Sequence, residues 1–268
     1  MAHEADASTW HHGLVARWWA EFRWDGDDIA CFRRAIERGG TPALDLACGT
    51  GRLLLPFLRD GLDVDGCDVS ADMLGHCARR AQDEGLTARL FEQRMSELAL
   101  PRRYRTVVIC QSFGVGTTRS EDLEALRRIR DHLEPGGSLV FDIDLPNFAS
   151  QGWGAWLPES RPRLPTPWPP RGDRRVCADG SELELKGRVL AFDPLEQTST
   201  RALRVEHWVD GELHEAEERS IRLNIYFKNE VELMLRAAGF SEVRVTGDLT
   251  DEAVQPYEHE RVFFHAIR

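Results

Sequence analysis

The spacing of hydrophobic residues divides the chain into a helical start, an alternating middle, a loop and a second group of strands. Apolar residues recur at helical intervals from 10 to 24, and a second helix is expected over 28–38. From 42 to 145, short apolar runs of strand type alternate with helical patterns. This alternation predicts an α/β fold, in which helices cover both faces of a parallel sheet.

The second half of the chain is predicted to carry an inserted antiparallel sheet. Residues 146–175 hold seven of the thirteen prolines and show no apolar periodicity, so a long loop is expected there. Two-residue alternation then predicts three strands at 181–192, 201–209 and 212–225. A last helix and two strands are expected at 229–238, 241–247 and 261–267. The predicted organisation is cap helices at 1–40, a core at 41–145, an insertion at 146–226 and a return to the core sheet at 227–268.

Composition narrows the classes of partner. The 45 acidic and 34 basic residues give a net charge of −11, which disfavours nucleic acid and anionic membrane surfaces as partners. No apolar run approaches the roughly 20 residues of a membrane span, and the first ten residues lack signal-peptide features, so we expect a cytoplasmic protein. The six cysteines contain no C-x-x-C pair, so neither disulfides nor a metal site are expected.

A tight turn links the first predicted strand to the helix that follows it. The run 43–47 leads directly into Cys48-Gly49-Thr50-Gly51. Glycines let the backbone approach a ligand closely, and the helix amino terminus offers unpaired N–H groups. Asp68 follows at the end of the next predicted strand, where a carboxylate can accept hydrogen bonds from ribose hydroxyls. These features predict a nucleotide-containing cofactor.

The order of the motifs identifies the kind of cofactor. Leu54 stands where the dinucleotide motif G-x-G-x-x-G/A requires a small residue, which disfavours NAD(P). The run LDLACGTGRL resembles the first motif of class I S-adenosylmethionine (SAM)-dependent methyltransferases. Four later segments resemble the family's other motifs in the same order: DVDGCDVSADML (63–74), YRTVVICQSFG (104–114), LRRIRDHLEPGGSLVFD (126–142) and LMLRAAGFSEVRV (233–245). The resemblance implies a seven-stranded Rossmann-like sheet of order 3-2-1-4-5-7-6, an N-terminal cap helix and a three-strand insertion typical of small-molecule methyltransferases.

The resemblance also implies which residues hold SAM. The methionine part is expected at Asp45 and the turn after it, the ribose at Asp68, and the adenine beside Val69, Met73 and Met95. The full expected set is Trp18, Asp45, Ala47, Cys48, Gly49, Gly51, Asp68, Val69, Met73, Gln93, Met95, Gln111 and Phe113. The family usually has an acidic residue after the third strand that reads the adenine amino group. Arg94 occupies that place here, and Gln93 is the candidate replacement acceptor.

The acceptor end of the site is less defined. Methyl transfer from a sulfonium depends mainly on alignment, and a base is needed only when the acceptor loses its proton late. His11, His207 and Tyr226 are candidate bases, although each could instead be a packed side chain.

Tryptophan is absent from 42–146 and present on both sides of it, so Trp19, Trp153 and Trp156 are candidate acceptor-binding residues. Tyr226 is a further candidate because it follows the third predicted strand of the insertion. The alternative for the tryptophans is packing of the cap helix and the insertion.

The sequence therefore predicts a SAM-dependent enzyme that methylates an oxygen or nitrogen of a small molecule such as a natural product, sugar or amine. Two alternatives stay open: a SAM-binding scaffold without catalysis and, less favoured, an NAD(P)-dependent oxidoreductase. The exposed insertion is a candidate homodimer surface.

Overall fold

A computed structural model describes residues 9–23, 25–146, 156–159, 161, 163–255 and 258–268. Within them lie six α-helices: α1 (Gly13–Phe22), α2 (Asp28–Gly39), α3 (Leu54–Arg59), α4 (Ala71–Asp83), α5 (Arg119–His132) and α6 (Lys228–Ala237). A 3-10 helix covers Met95–Glu97. None of the helices in this part of the chain is both long and apolar enough to cross a membrane.

Seven strands form the central sheet: β1 (Ala43–Leu46), β2 (Val64–Asp68), β3 (Leu90–Glu92), β4 (Tyr104–Ile109), β5 (Leu133–Asp144), β10 (Glu242–Gly247) and β11 (Arg261–Ile267). Their order is β10-β11-β5-β4-β1-β2-β3, which confirms the predicted topology. All pairs are parallel except those of β11, which runs antiparallel to both β5 and β10. Every residue of β1 is buried, as expected for a central strand covered on both faces.

Side chains that alternate along the strands build a core on each face of this sheet. Phe264 of β11 packs against Phe141 on the face that α5 and α6 cover. The adjacent Phe263 points to the opposite face, where it packs against Phe32 of α2. The sheet is thus enclosed, and its carboxyl edge is left to form a site.

The insertion is a four-stranded antiparallel sheet rather than the predicted three strands. It comprises β6 (Asp173–Val176), β7 (Glu182–Asp193), β8 (Thr198–Val209) and β9 (Glu212–Asn224), in that spatial order. The additional strand β6 was predicted as loop because its residues, Asp-Arg-Arg-Val, show no apolar alternation. All four are exposed, and β6 is a strand because its backbone pairs with the edge of β7.

Helix α1 joins the inserted sheet to the central sheet. Its buried residues Leu14, Val15 and Trp18 pack against Leu183 and Val205 of the inserted sheet. The start of α1 is bound to the start of α4, where the N–H of Gly13 donates to the Asp72 carboxylate at 2.7 Å and Ser70 Oγ donates to the carbonyl of His11. Helix α1 is therefore placed over the carboxyl edge of the central sheet.

Candidate active site

A cavity of about 290 Å³ lies at this carboxyl edge, between the ends of the strands and the N-terminal segment. Ten of the thirteen residues predicted to bind the cofactor line it: Asp45, Ala47, Cys48, Gly49, Asp68, Val69, Met73, Gln93, Met95 and Gln111. They come from the ends of β1 to β4 and from the turns that follow, where parallel strands bring separate parts of the chain together.

Two glycines shape the turn after β1 in different ways. Gly49 has φ of +54°, and a Cβ there would lie 3.1 Å from Met73 Cε, so the glycine keeps the cavity wall open. Gly51 has φ of +86°, and a Cβ there would lie 2.7 Å from Cys77 Sγ and 2.9 Å from Leu55 Cγ. Gly51 therefore lies outside the cavity lining and allows close packing behind the turn.

Asp45 is a buried carboxyl group with an unused acceptor. Its residue exposure is 1%, and Oδ2 has no hydrogen-bond partner among the described residues. Burial raises the pKa of Asp45 to about 7, although the nearby Arg52 charge acts in the opposite direction. A buried oxygen without a donor is costly unless a ligand supplies one. The α-ammonium group of SAM is a suitable donor, so the residues present fit the expected cofactor.

Asp68 lies at the end of β2 with a fixed carboxylate. Its two oxygens accept hydrogen bonds from the backbone N–H groups of Gly49 at 2.8 Å and Ser70 at 2.9 Å. Burial raises the pKa of Asp68 despite these hydrogen bonds. Each carboxylate oxygen has further lone pairs, so the group can still accept from a ribose diol.

The segment after β3 places Arg94, Met95 and Ser96 on the cavity wall. The side-chain amide of Gln93 turns back to its own loop, where Oε1 accepts from the N–H of Ala99 at 2.8 Å. The acceptor predicted to replace the family's acidic residue is therefore already engaged.

Another wall of the cavity is aromatic and is supplied by the N-terminal segment. Trp10, His11 and Trp19 line it, and the rings of His11 and Trp19 lie 5.1 Å apart. Trp10 Nε1 donates to His11 Nε2 at 3.1 Å, and His11 Nδ1 lies 3.2 Å from Thr9 Oγ1. Burial, and secondarily the neighbouring His12, lower the pKa of His11 to about 4. His11 is thus a neutral ring with both nitrogens engaged.

The loop after β4 carries the next part of this wall, including Gly114 and Val115. Gln111 at its start has φ of +49°, and its N–H donates to Asp142 at 2.9 Å. Further along, Gly114 and Gly116 bond to the backbone of β9, which makes the loop an extension of the inserted sheet. The insertion therefore fixes part of the cavity.

A buried polar group holds the same loop in place. The Asp122 carboxylate accepts from Thr117 Oγ1 at 2.6 Å, Asn224 Nδ2 at 2.7 Å and the Tyr226 hydroxyl at 2.6 Å. Asp122 is 2% exposed, and burial raises its pKa against these hydrogen bonds. Tyr226 itself is buried and lies outside the cavity lining, so its hydroxyl is placed to position the loop.

Several residues predicted from the sequence lie elsewhere. Trp18 is buried between α1 and the inserted sheet, and Phe113 packs between Phe141 and Tyr226. Trp156 packs against Phe192 and Phe227. Neither these three nor His207 lines the cavity.

His207 lies on β8 near Arg17, with Nε2 3.4 Å from Nη1, and next to His214. Trp153 lies outside the described residues.

The sequence interpretation missed several lining residues, among them Trp10, Arg23, Glu121 and Asp122. A signal for two of these was present, because Thr118 and Glu121 form a capping box that marks the start of α5 at the carboxyl edge. Among the described residues, no cluster of three or more His, Cys, Asp or Glu side chains could hold a metal ion.

Comparisons with known proteins show which proteins this chain resembles. A family model described as a methyltransferase domain matches residues 43–137. The dTDP-3-amino-3,4,6-trideoxy-alpha-D-glucopyranose N,N-dimethyltransferase of Streptomyces venezuelae is 34% identical over 131 residues, which are 48% of this chain and 54% of that protein.

Two solved structures share the fold over nearly the whole chain. The sugar N-methyltransferase KedS8 from Streptoalloteichus sp. has a TM-score of 0.70 at 20% identity and covers 100% of this chain and 99% of its own. A SAM-dependent methyltransferase from Clostridium acetobutylicum has a TM-score of 0.70 at 17% identity and covers 95% and 97%.

Proposed function

Because the chain belongs to the class I SAM-dependent methyltransferases, we propose that it transfers the methyl group of SAM to the amino nitrogen of a small molecule, with an amino sugar as the acceptor class. The names of the Streptomyces and Streptoalloteichus proteins support this acceptor class, because both describe N-methylation of a sugar. The residues at the acceptor end of the cavity support nitrogen rather than oxygen as the nucleophile.

Bound SAM supplies a methyl carbon on a sulfonium sulfur, from which a neutral thioether departs as the new carbon–nitrogen bond forms. Asp45 and Asp68 would hold the two halves of the cofactor, so the position of the methyl group would be set by groups fixed to the central sheet. Alignment of this kind supplies much of the barrier reduction in a two-reactant step, on the order of 7 kcal/mol or more.

The single observation that carries the choice of nitrogen is the state of His11. An alcohol must give up its proton as it attacks, whereas an amine can arrive as the free base and release its proton to water afterwards. With a pKa of about 4 and partners on both ring nitrogens, His11 is a poor acceptor for an alcohol proton near neutral pH. Of the three residues predicted as bases, His11 is engaged and His207 and Tyr226 lie outside the cavity lining, which supports a nucleophile that needs no base.

The aromatic wall supports the same reaction. Trp10 and Trp19 line the cavity, and aromatic rings attract a cationic centre that lies against them. A sulfonium cofactor and a developing ammonium product are both cations, so an aromatic wall stabilises both.

The experiment is a methyl-transfer assay with matched acceptor pairs. Free and thymidine diphosphate-linked amino sugars are each paired with the sugar that carries a hydroxyl group at the same carbon, and products are identified by mass. We expect methylation of the amino member of at least one pair and none of its hydroxyl partner. Methylation of a hydroxyl partner at an equal or greater rate would refute the proposal. Asp45→Asn serves as the control for background transfer.

A further inference from the structure

Asp45 and Asp68 fix the direction in which SAM lies in the cavity. The unpaired oxygen of Asp45 would bind the amino-acid end of SAM, and the Asp68 carboxylate would bind the ribose. The base must then occupy the region beyond Asp68, where Val69, Met73 and Met95 line the wall. Apolar side chains of this kind pack against the faces of a flat ring and leave its polar edge to be read by other groups.

Two side chains of opposite charge lie on the cavity wall near this region. Arg94 immediately precedes the 3-10 helix, and Glu121 is the third residue of α5. Helix α5 packs against the 3-10 helix, which brings the two residues to one side of the cavity. Both are half-buried.

Neither charge is fully used by the protein. In the described ranges the Arg94 guanidinium group forms no hydrogen bond and no ion pair, and only the backbone carbonyl of Arg94 is bonded, to the N–H of Glu97. Glu121 Oε2 accepts from the Thr118 N–H at 2.6 Å and from the Thr118 hydroxyl at 2.8 Å. Within the same described residues, Oε1 has no partner, so one carboxylate oxygen and a whole guanidinium group are available to a ligand.

The two groups influence one another without pairing. The hydrogen bonds from Thr118 lower the pKa of Glu121, and the charge of Arg94 adds to that effect, so the carboxylate is ionised at neutral pH. A carboxylate and a guanidinium group that do not bond to each other can bind a ligand that carries a hydrogen-bond donor beside a hydrogen-bond acceptor.

We propose that Glu121 accepts a hydrogen bond from the exocyclic amino group of adenine while Arg94 donates one to the ring nitrogen N1. A carboxylate beside a guanidinium complements this edge, which carries an amino donor next to a ring acceptor. The family usually places the carboxylate that accepts from the adenine amino group after the third strand. Here Arg94 occupies that place and Gln93 is bound to Ala99, so the carboxylate comes from α5 instead. The inference concerns the cofactor and is independent of the methyl acceptor.

Binding of two nucleoside analogues tests this assignment without turnover. S-adenosylhomocysteine is compared with S-inosylhomocysteine, in which a carbonyl oxygen replaces the amino group and N1 carries a hydrogen. In calorimetry we expect the wild-type protein to bind the adenosyl compound about tenfold or more tightly than the inosyl compound. In the inosyl compound a carbonyl oxygen would face the Glu121 carboxylate, and neither group can donate a hydrogen bond. Glu121→Gln should narrow that preference, since an amide can donate to the carbonyl oxygen.

The variants are chosen so that folding does not obscure the result. Glutamine preserves the capping box at the start of α5, and melting temperature verifies that it does. Glu124→Gln is the matched control, because Glu124 lies on the same helix and is bonded to Arg128 outside the cavity. Arg94→Met should weaken S-adenosylhomocysteine binding by about tenfold while the Glu124 variant binds normally.

Two outcomes would overturn the proposed adenine contacts and leave the proposed function standing. One is an unchanged analogue preference in Glu121→Gln. The other is tighter binding of S-adenosylhomocysteine by Arg94→Asp, which would show that residue 94 itself faces the amino group. A wild-type protein that binds neither analogue would instead refute the cofactor and, with it, the proposed function.

Discussion

The two ends of the cavity are built in different ways. At the cofactor end, Asp45, Gly49 and Asp68 belong to two neighbouring strands and the turns after them, and their contacts run to nearby backbone atoms. At the end that we propose for the acceptor, His11 and the loop held by Asp122 come from distant parts of the chain and are positioned by α1, α5 and the inserted sheet. One end depends on local turn geometry, and the other depends on tertiary packing.

This difference predicts different consequences of substitution. A change at the cofactor end removes a contact that we propose for SAM and should alter cofactor affinity. A change at the acceptor end disturbs the packing that positions a loop, so it should alter turnover and stability and leave cofactor affinity nearly unchanged.

The largest effect is expected for Asp45→Asn. The substitution keeps the shape of the side chain but removes the negative charge that we propose to face the cofactor ammonium group. Loss of one partner of a buried charge pair costs about 3 kcal/mol or more, roughly 100-fold in affinity. Calorimetry with S-adenosylhomocysteine measures this, with the surface variant Asp83→Asn as control. Equal affinity in the two variants would show that Asp45 does not meet the ammonium group.

The same residue predicts a pH dependence of binding. The pKa of Asp45 in the ligand-free protein is about 7, above its ordinary value of 3.8, so the carboxyl is protonated below pH 7. The ammonium group requires the carboxylate, and binding therefore releases a proton there. Affinity should fall by about tenfold for each unit of pH below 7 in the wild-type protein and much less in Asp45→Asn. Parallel pH profiles for the two proteins would contradict this origin.

The same contrast explains how much could be predicted from the sequence. The strand order and the lining residues Asp45, Gly49 and Asp68 follow from a motif that is contiguous or nearly so, and the structure places all three at the cavity. Strand β6 was missed because backbone pairing, rather than apolar alternation, makes it a strand. The rings of Trp18 and Trp19 lie 5.1 Å apart, yet only Trp19 lines the cavity, because adjacent residues of a helix are rotated by about 100°. A cluster of adjacent aromatic residues does not define which of them faces the cavity.

An intermediate effect, confined to the acceptor end, is expected for Tyr226→Phe. The variant removes a 2.6 Å hydrogen bond to the buried Asp122 carboxylate and should cost about 1–3 kcal/mol of stability. Because Asp122 also binds Thr117 in the cavity loop, kcat should fall while the dissociation constant of S-adenosylhomocysteine changes by less than about twofold.

Tyr104→Phe provides the matched control for this variant. Its hydroxyl donates to the buried Asp65 at 2.9 Å, far from the cavity lining. It should lose similar stability in urea unfolding without the loss of kcat. Equal losses of kcat in both variants would mean that stability, rather than loop position, explains the effect.

The smallest effect is expected for His11→Asn, and it separates a packed ring from a catalytic base. The pKa of His11 is about 4 in the folded protein and 6.5 ordinarily, so its contribution to stability is complete above pH 6.5 and is lost as pH falls toward 4. Because the ring borders the cavity, we expect the wild-type protein to lose on the order of 1 kcal/mol relative to the variant between pH 7 and pH 5. Urea unfolding at the two pH values measures this difference.

At pH 8 the His11→Asn variant should retain kcat within about threefold, whereas loss of a general base would lower kcat by about 100-fold or more. A loss of that size in a folded variant would assign the acceptor's proton to His11 and return oxygen nucleophiles to consideration.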